Sequence, residues 1–133
     1  MNKEDLVSYA KDAMENSYSP YSKFKVGAAL LTTSGEVYSG ANIENASYGL
    51  TMCAERNAIY NAYCHGVEYE DIEALAIITD TSRPASPCGA CRQVISELIP
   101  PETPIYLANL RGDIKVTKIG ELLPYSFDSE DLE

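Results

Sequence analysis

Ile72-Glu73-Ala74-Leu75-Ala76-Ile77-Ile78-Thr79 is the stretch whose reading sets the architecture. Apolar side chains run through it almost unbroken, where a strand with one wet face would alternate polar and apolar. The pattern predicts a central strand covered on both faces. Working outward toward the N-terminus, Gly66 stops a helix that begins at Cys53 and runs to about His65. Before it lie a polar stretch over residues 41–48 and a hairpin, with strands at 26–32 and 36–40 turned by Thr33-Ser34-Gly35. An amphipathic helix over residues 3–16 opens the chain; Leu6, Val7, Ala10, Ala13 and Met14 share one face, and Asn2 is placed to cap it. Ser17-Tyr18-Ser19-Pro20-Tyr21-Ser22 follows as an ordered loop.

Toward the C-terminus, Pro84 and Pro87 mark a loop, and Cys88 leads into a third helix that ends before Pro100-Pro101. Residues 104–109 and 114–117 read as strands, and Arg111-Gly112-Asp113 between them predicts an antiparallel pair. A short helix near residues 119–123 and a solvated acidic tail, 128–133, complete the order. The expectation is an α/β fold of three layers, α/β/α, with a five-stranded mixed sheet, in a single domain over residues 1–133.

Composition narrows the partners. The 133 residues carry 20 acidic and 10 basic side chains, a formal charge of −10, with no basic cluster. Such a field repels phosphate backbones and argues against a nucleic-acid ligand. The longest apolar run, residues 74–78, falls far short of the ~20 residues a membrane helix needs. Met1-Asn2-Lys3-Glu4-Asp5 has no apolar signal core, so a cytoplasmic location is expected. In that reducing compartment, patterned cysteines point to metal or redox chemistry before a disulfide framework.

Three of the four cysteines are patterned. Cys88-Gly89-Ala90-Cys91 is a C-x-x-C pair, and Cys53 lies 35 residues earlier. Both segments follow a loop and open a predicted helix, whose positive end favours the thiolate that binds zinc. Cys64 and His65 fall at the other end of the same helix as Cys53, about 16 Å away at ~1.5 Å per residue, too far to share a coordination sphere. Three protein ligands with an open fourth position mark a catalytic zinc. A structural metal and a redox dithiol at Cys88 and Cys91 remain alternatives on these residue types.

Glu55 strengthens the catalytic reading. With Cys53 at the helix start, Glu55 in the first turn can face the open metal position and move protons there. Three thiolates and Zn²⁺ sum to a net negative charge, which the Arg56 guanidinium would offset by donating to a cysteine sulfur.

Cys53-Ala54-Glu55-Arg56 followed by Pro87-Cys88-Gly89-Ala90-Cys91-Arg92-Gln93 closely resembles the cytidine deaminases of the small, free-nucleoside, zinc-dependent type. The resemblance spans nearly the whole chain, through Tyr18-Ser19-Pro20-Tyr21-Ser22-Lys23-Phe24, Gly40-Ala41-Asn42-Ile43-Glu44-Asn45-Ala46 and Leu122-Leu123-Pro124. It implies a cytidine deaminase-like fold and hydrolysis of cytidine and deoxycytidine to uridine and deoxyuridine plus ammonia, a step of pyrimidine salvage. It also implies one zinc per subunit on Cys53, Cys88 and Cys91, with zinc-bound hydroxide attacking C4. Glu55 would protonate N3 and then carry a proton to the leaving ammonia. Phe24 would line the base pocket, Asn42 and Glu44 would hold the ribose hydroxyls, and backbone groups at Ala54 and Ser86 would complete the base contacts. Members of this length are usually homotetramers, which makes Ala46, Tyr48 and Phe127 candidates for reaching across subunits. Polynucleotide and tRNA deaminases typically carry histidine where this chain has Cys53. Met52 and Asn57 depart from the common pattern at positions not expected to touch the chemistry. A related blasticidin S-type deaminase and a non-catalytic zinc-stabilised binding module are the competing expectations.

Overall fold

The computed structural model describes residues 1–132; Glu133, the end of the expected acidic tail, lies outside the described residues. Strands β1 (Val26–Thr32), β2 (Val37–Ala41), β3 (Ile72–Thr79), β4 (Ile105–Asn109) and β5 (Ile114–Thr117) form one sheet in the order β2-β1-β3-β4-β5. The apolar stretch is the middle strand, with only Glu73 exposed among its eight residues. It runs antiparallel to β1 and parallel to β4, so the sheet is mixed. The closing β4–β5 pair is antiparallel, as the Arg111-Gly112-Asp113 turn predicts.

Because side chains alternate along a strand, β3 supplies two cores. Leu75 and Ile77 join Leu30, Ile59, Ile95 and Ile105 beneath α2 (Ala54–Cys64), α3 (Gly89–Leu98) and α4 (Ile119–Leu122). Ala74, Ala76 and Ile78 face the other way, against Leu6, Ala10 and Met14 of α1 (Lys3–Met14). This is the three-layer α/β/α arrangement expected. Two glycines set how near the helices lie: a Cβ at Gly27 would stand 2.0 Å from the Ala10 carbonyl oxygen, and one at Gly40 would stand 2.4 Å from the Ala58 nitrogen. Any side chain at either position forces a helix off the sheet.

Asn2 caps α1 through a reciprocal box with Asp5. The helix ends at Met14, two residues before the expected end, because the chain is drawn into pairing with a distant segment. The Tyr18 N–H donates to the Asn42 carbonyl at 3.0 Å, and the Glu44 N–H donates to the Tyr18 carbonyl at 2.8 Å. Ile43 also pairs with Met52. Those contacts gather residues 17–24, 41–45 and 51–53 at the end of the sheet where Val26 of β1 lies opposite Thr79 of β3. The helices α2 and α3 begin at that same end.

At the free edge of β2, Asn57 and Asn61 of α2 donate to the carbonyls of Ala41 (2.8 Å) and Ser39 (3.2 Å). Asn57 therefore anchors α2 to the sheet, and the expectation that it stays clear of the chemistry fits that placement. Single 3-10 turns at Tyr48–Leu50, Tyr69–Asp71 and Ser129–Leu132 were not anticipated from periodicity; the last leaves the tail exposed, as a solvated end requires. No helix among the described residues is long and apolar enough to cross a membrane.

Candidate active site

Cys53 and Cys88 occupy equivalent positions, each the N-cap of its helix, and Cys91 lies in the first turn of α3. The three sulfurs lie within 4.8 Å of one another. Cys53 and Cys88 are 3.7 Å apart, sulfur to sulfur. A tetrahedral zinc with ~2.3 Å bonds to sulfur sets its ligands roughly 3.8 Å apart, so the spacing already fits that ion. Cys64 and His65, at the other end of α2, take no part: both are exposed, and His65 Nδ1 lies 2.8 Å from the Asn61 carbonyl oxygen.

The electrostatics suit a cation. A hydrogen bond from Cys91, reinforced by the Arg56 guanidinium and by Cys88, holds the Cys53 thiol down to about 5. Cys91, buried and donating to that thiolate, is pushed upward in turn. The Cys53 sulfur is thus the one favoured as thiolate, and a metal held by the cluster would require deprotonated sulfurs. Arg56 Nη2 donates to Cys53 Sγ at 3.4 Å, the contact expected from the charge balance. Its Nε is buried with no hydrogen-bond partner among the described residues, so the guanidinium has a donor to spare for an added negative charge nearby.

Glu55 sits in the first turn of α2 and is 5% exposed. Burial pushes its carboxyl above the usual carboxylate range, and the negative charge on Cys53 adds to the shift. A buried carboxyl whose proton is held more tightly than usual is suited to carry protons to and from a bound ligand. It opens onto a cleft of about 300 Å³ whose walls include Cys53, Ala54, Cys88, Phe24, Asn42, Glu44 and Ser86. The structure thus brings all the expected base- and sugar-facing residues to one cavity with two of the cysteines. Met52 is not among its walls; its backbone pairs with Ile43.

Asn42 and Glu44 are buried, and neither is idle in the chain itself. Asn42 Oδ1 accepts from the Val26 N–H at 2.9 Å and from the Ser17 hydroxyl, while its Nδ2 donates to the Phe24 carbonyl at 2.7 Å. Glu44 Oε1 accepts from the Tyr21 and Ser22 N–H groups at 3.0 and 3.1 Å, and Oε2 accepts from the Ser22 hydroxyl. The Ser22 hydroxyl bond, before the backbone donors, holds the Glu44 carboxyl below its ordinary value. One amide hydrogen of Asn42 and a share of Glu44 Oε2 are left, a donor and an acceptor on the wall of the same cleft.

Ala46, Tyr48 and Phe127 are exposed and do not line the cleft. Tyr48 stands edge-on to Tyr21, with ring centroids 6.2 Å apart, and the Phe127 carbonyl accepts from Gln93 at 2.8 Å. Ser22, Val26, Thr51, Ile77, Thr79 and Ala85 also line the cleft, beyond the residues to which the motifs assign a role. Arg92 ties the start of α3 to the end of α4 by donating to the Pro87 carbonyl (2.8 Å) and the Leu122 carbonyl (2.6 Å). Ser22 and Arg92 lie inside motifs that the resemblance singles out; the others carry no local signal.

Comparison with known proteins agrees with this geometry. Residues 1–107 match the family model of the cytidine and deoxycytidylate deaminase zinc-binding region. A cytidine deaminase of Halalkalibacterium halodurans is 54% identical over 99% of this chain and 98% of its own length. One from Sporosarcina psychrophila is 52% identical over 99% and 96%. Among solved structures, a cytidine deaminase from Burkholderia pseudomallei superposes with a TM-score of 0.93 at 49% identity, covering 96% of this chain and all of that one. The enzyme from Mycobacterium tuberculosis gives 0.81 at 35% identity over 96% and 98%. The chain belongs to the cytidine deaminase family, as a hydrolytic deaminase with a zinc-binding cluster of three cysteines.

Proposed function

We propose that the cleft hydrolyses cytidine and deoxycytidine to uridine and deoxyuridine plus ammonia, in cytoplasmic pyrimidine salvage. The observation that carries this reading is the buried Glu55 carboxyl, opening onto the same cavity as the cysteine cluster. Cys53, Cys88 and Cys91 would hold one zinc per subunit, which when bound supplies Lewis acidity and a water nucleophile at neutral pH.

Glu55 then does the proton work. As carboxylate it takes a proton from the attacking water, and as carboxylic acid it delivers that proton to N3 of the base. A second proton follows the same path to the exocyclic nitrogen as the bond from C4 to that nitrogen breaks. Water supplies the oxygen of the new carbonyl, and ammonia leaves, so the balance needs no oxidant or other co-reactant. Burial of Glu55 among apolar walls raises its pKa and keeps stray protons out. Arg56 lowers the excess negative charge at the cysteines.

Phe24 and the backbone at Ala54 and Ser86 hold the base. Asn42 and Glu44 have the remaining donor and acceptor to grip a sugar hydroxyl, which is itself both donor and acceptor. The cleft walls carry no Lys or Arg, which suits a neutral nucleoside better than a nucleotide. The exposed Ala46, Tyr48 and Phe127 fit a homotetramer in which neighbours complete each cleft, with residues 1–133 as one catalytic domain per subunit. An ultraviolet assay of cytidine and deoxycytidine, with zinc measured in parallel, tests the reading. It predicts conversion of both, none of blasticidin S, and one zinc per chain; inert nucleosides with a full zinc complement would contradict it.

A further inference from the structure

The geometry points to Ser22 as the positioning residue of the sugar end: its hydroxyl locks the Glu44 carboxylate to the Phe24 backbone and so sets the preference for nucleosides that carry sugar hydroxyls. The inference rests on the reading of Glu44 as a group that receives the sugar. The Ser22 hydroxyl donates to Glu44 Oε2 and accepts from the Phe24 N–H at 3.0 Å, while the Ser22 N–H donates to Glu44 Oε1 at 3.1 Å. One residue therefore contacts both carboxylate oxygens and the backbone that carries the aromatic wall.

The two ends of the carboxylate are not equally secured. Oε1 is held by the two backbone N–H groups of Tyr21 and Ser22, which no side-chain substitution removes. Oε2, the oxygen with capacity left for a ligand, is held by the Ser22 hydroxyl alone among the described residues. The terminal torsion of a glutamate is soft and moves both oxygens together, so without that hydroxyl the carboxylate is restrained at Oε1 alone and Oε2 is aimed less closely.

The turn that aims Ser22 both ways is itself constrained. Lys23, between Ser22 and Phe24, has φ of 60°, a left-handed conformation unusual outside glycine, and its N–H donates to the Ser19 carbonyl at 3.0 Å. A non-glycine residue persists there only when its surroundings fix it. Ser22 is exposed on its outer side, so removing the hydroxyl opens no hole in either core.

The test uses the zinc-loaded enzyme, with Ser22→Ala, Ser22→Thr and Glu44→Gln. It reads KM and kcat for cytidine and the competitive Ki of uridine and of 2′,3′-dideoxyuridine. Ser22→Ala should raise the cytidine KM and the uridine Ki about tenfold, the scale of one hydrogen bond between the sugar and a charged Oε2 that is no longer aimed at it. The dideoxyuridine Ki should stay within about twofold, and the loss should fall mainly on KM. Ser22→Thr, which keeps the hydroxyl, should restore most of the difference. An unchanged uridine Ki in Ser22→Ala, an equal rise for both inhibitors, or a threonine variant as impaired as alanine would overturn the assignment. Glu44→Gln separates the two layers of the argument. If it distinguishes uridine from dideoxyuridine and Ser22→Ala does not, the sugar reading stands and the Ser22 assignment falls. If Glu44→Gln draws no distinction, the sugar reading falls and takes the Ser22 assignment with it.

Discussion

At one end of the cleft, Cys53, Cys88 and Cys91 are set by the starts of two helices packed on the sheet. At the other, Asn42 and Glu44 are set by side-chain bonds to loop backbone between residues 17 and 26. The metal end inherits its precision from regular elements: α2 and α3 are fixed by the core beneath them, and the cysteines follow. The end proposed for the sugar has no such frame; Asn42 and Glu44 build one with their own side chains, so that the proposed recognition and the loop structure would share the same atoms. Damage at the first end should therefore cost chemistry, and damage at the second should cost binding together with local stability.

The largest effect is expected at the metal end. Cys91→Ala removes a buried ligand, and should abolish stoichiometric zinc and with it more than 99% of turnover, about a hundredfold or greater loss. Metal analysis and the cytidine assay check both; a zinc-replete, active variant would break the comparison. At the sugar end, Asn42→Ala leaves the Val26 N–H and Phe24 carbonyl without their partner. It should lower stability by about 2 kcal/mol, the scale of an unsatisfied buried polar group, and raise KM in the same variant. Thermal melts and kinetics together test whether the two losses are coupled. Arg56→Ala is a smaller perturbation of the metal end. Zinc affinity should fall about tenfold in chelator competition, as for other groups that donate to metal ligands, with the fold intact.

The difference between the two ends also explains what could be read from the residues. The five-residue apolar run inside β3, residues 74–78, leaves no polar face for solvent, and burial on both faces with a central place in the sheet follows. The cysteine spacing is equally legible, because Cys53 and Cys88 each cap the start of a helix and Cys91 follows one turn into the second, a placement that loop residues such as Pro87 announce. Motif resemblance named Asn42 and Glu44, but nothing in their local sequence announces the bonds from Ser22, Tyr21 and Val26. Those depend on the chain crossing itself between residues 18 and 43, a contact with no periodicity behind it. The same crossing ended α1 early. Gly27 and Gly40 read as ordinary strand positions until the helices lie against them.

The central claim is that Glu55 carries protons at a site whose metal it does not hold. Glu55→Gln keeps the side chain's shape and removes only its acid–base capacity. Measured beside the parent for cytidine turnover, zinc content and melting temperature, it should retain one zinc per chain and a full fold while losing about 10³-fold or more in kcat. Turnover within tenfold of the parent, in a variant with its zinc in place, would contradict the account.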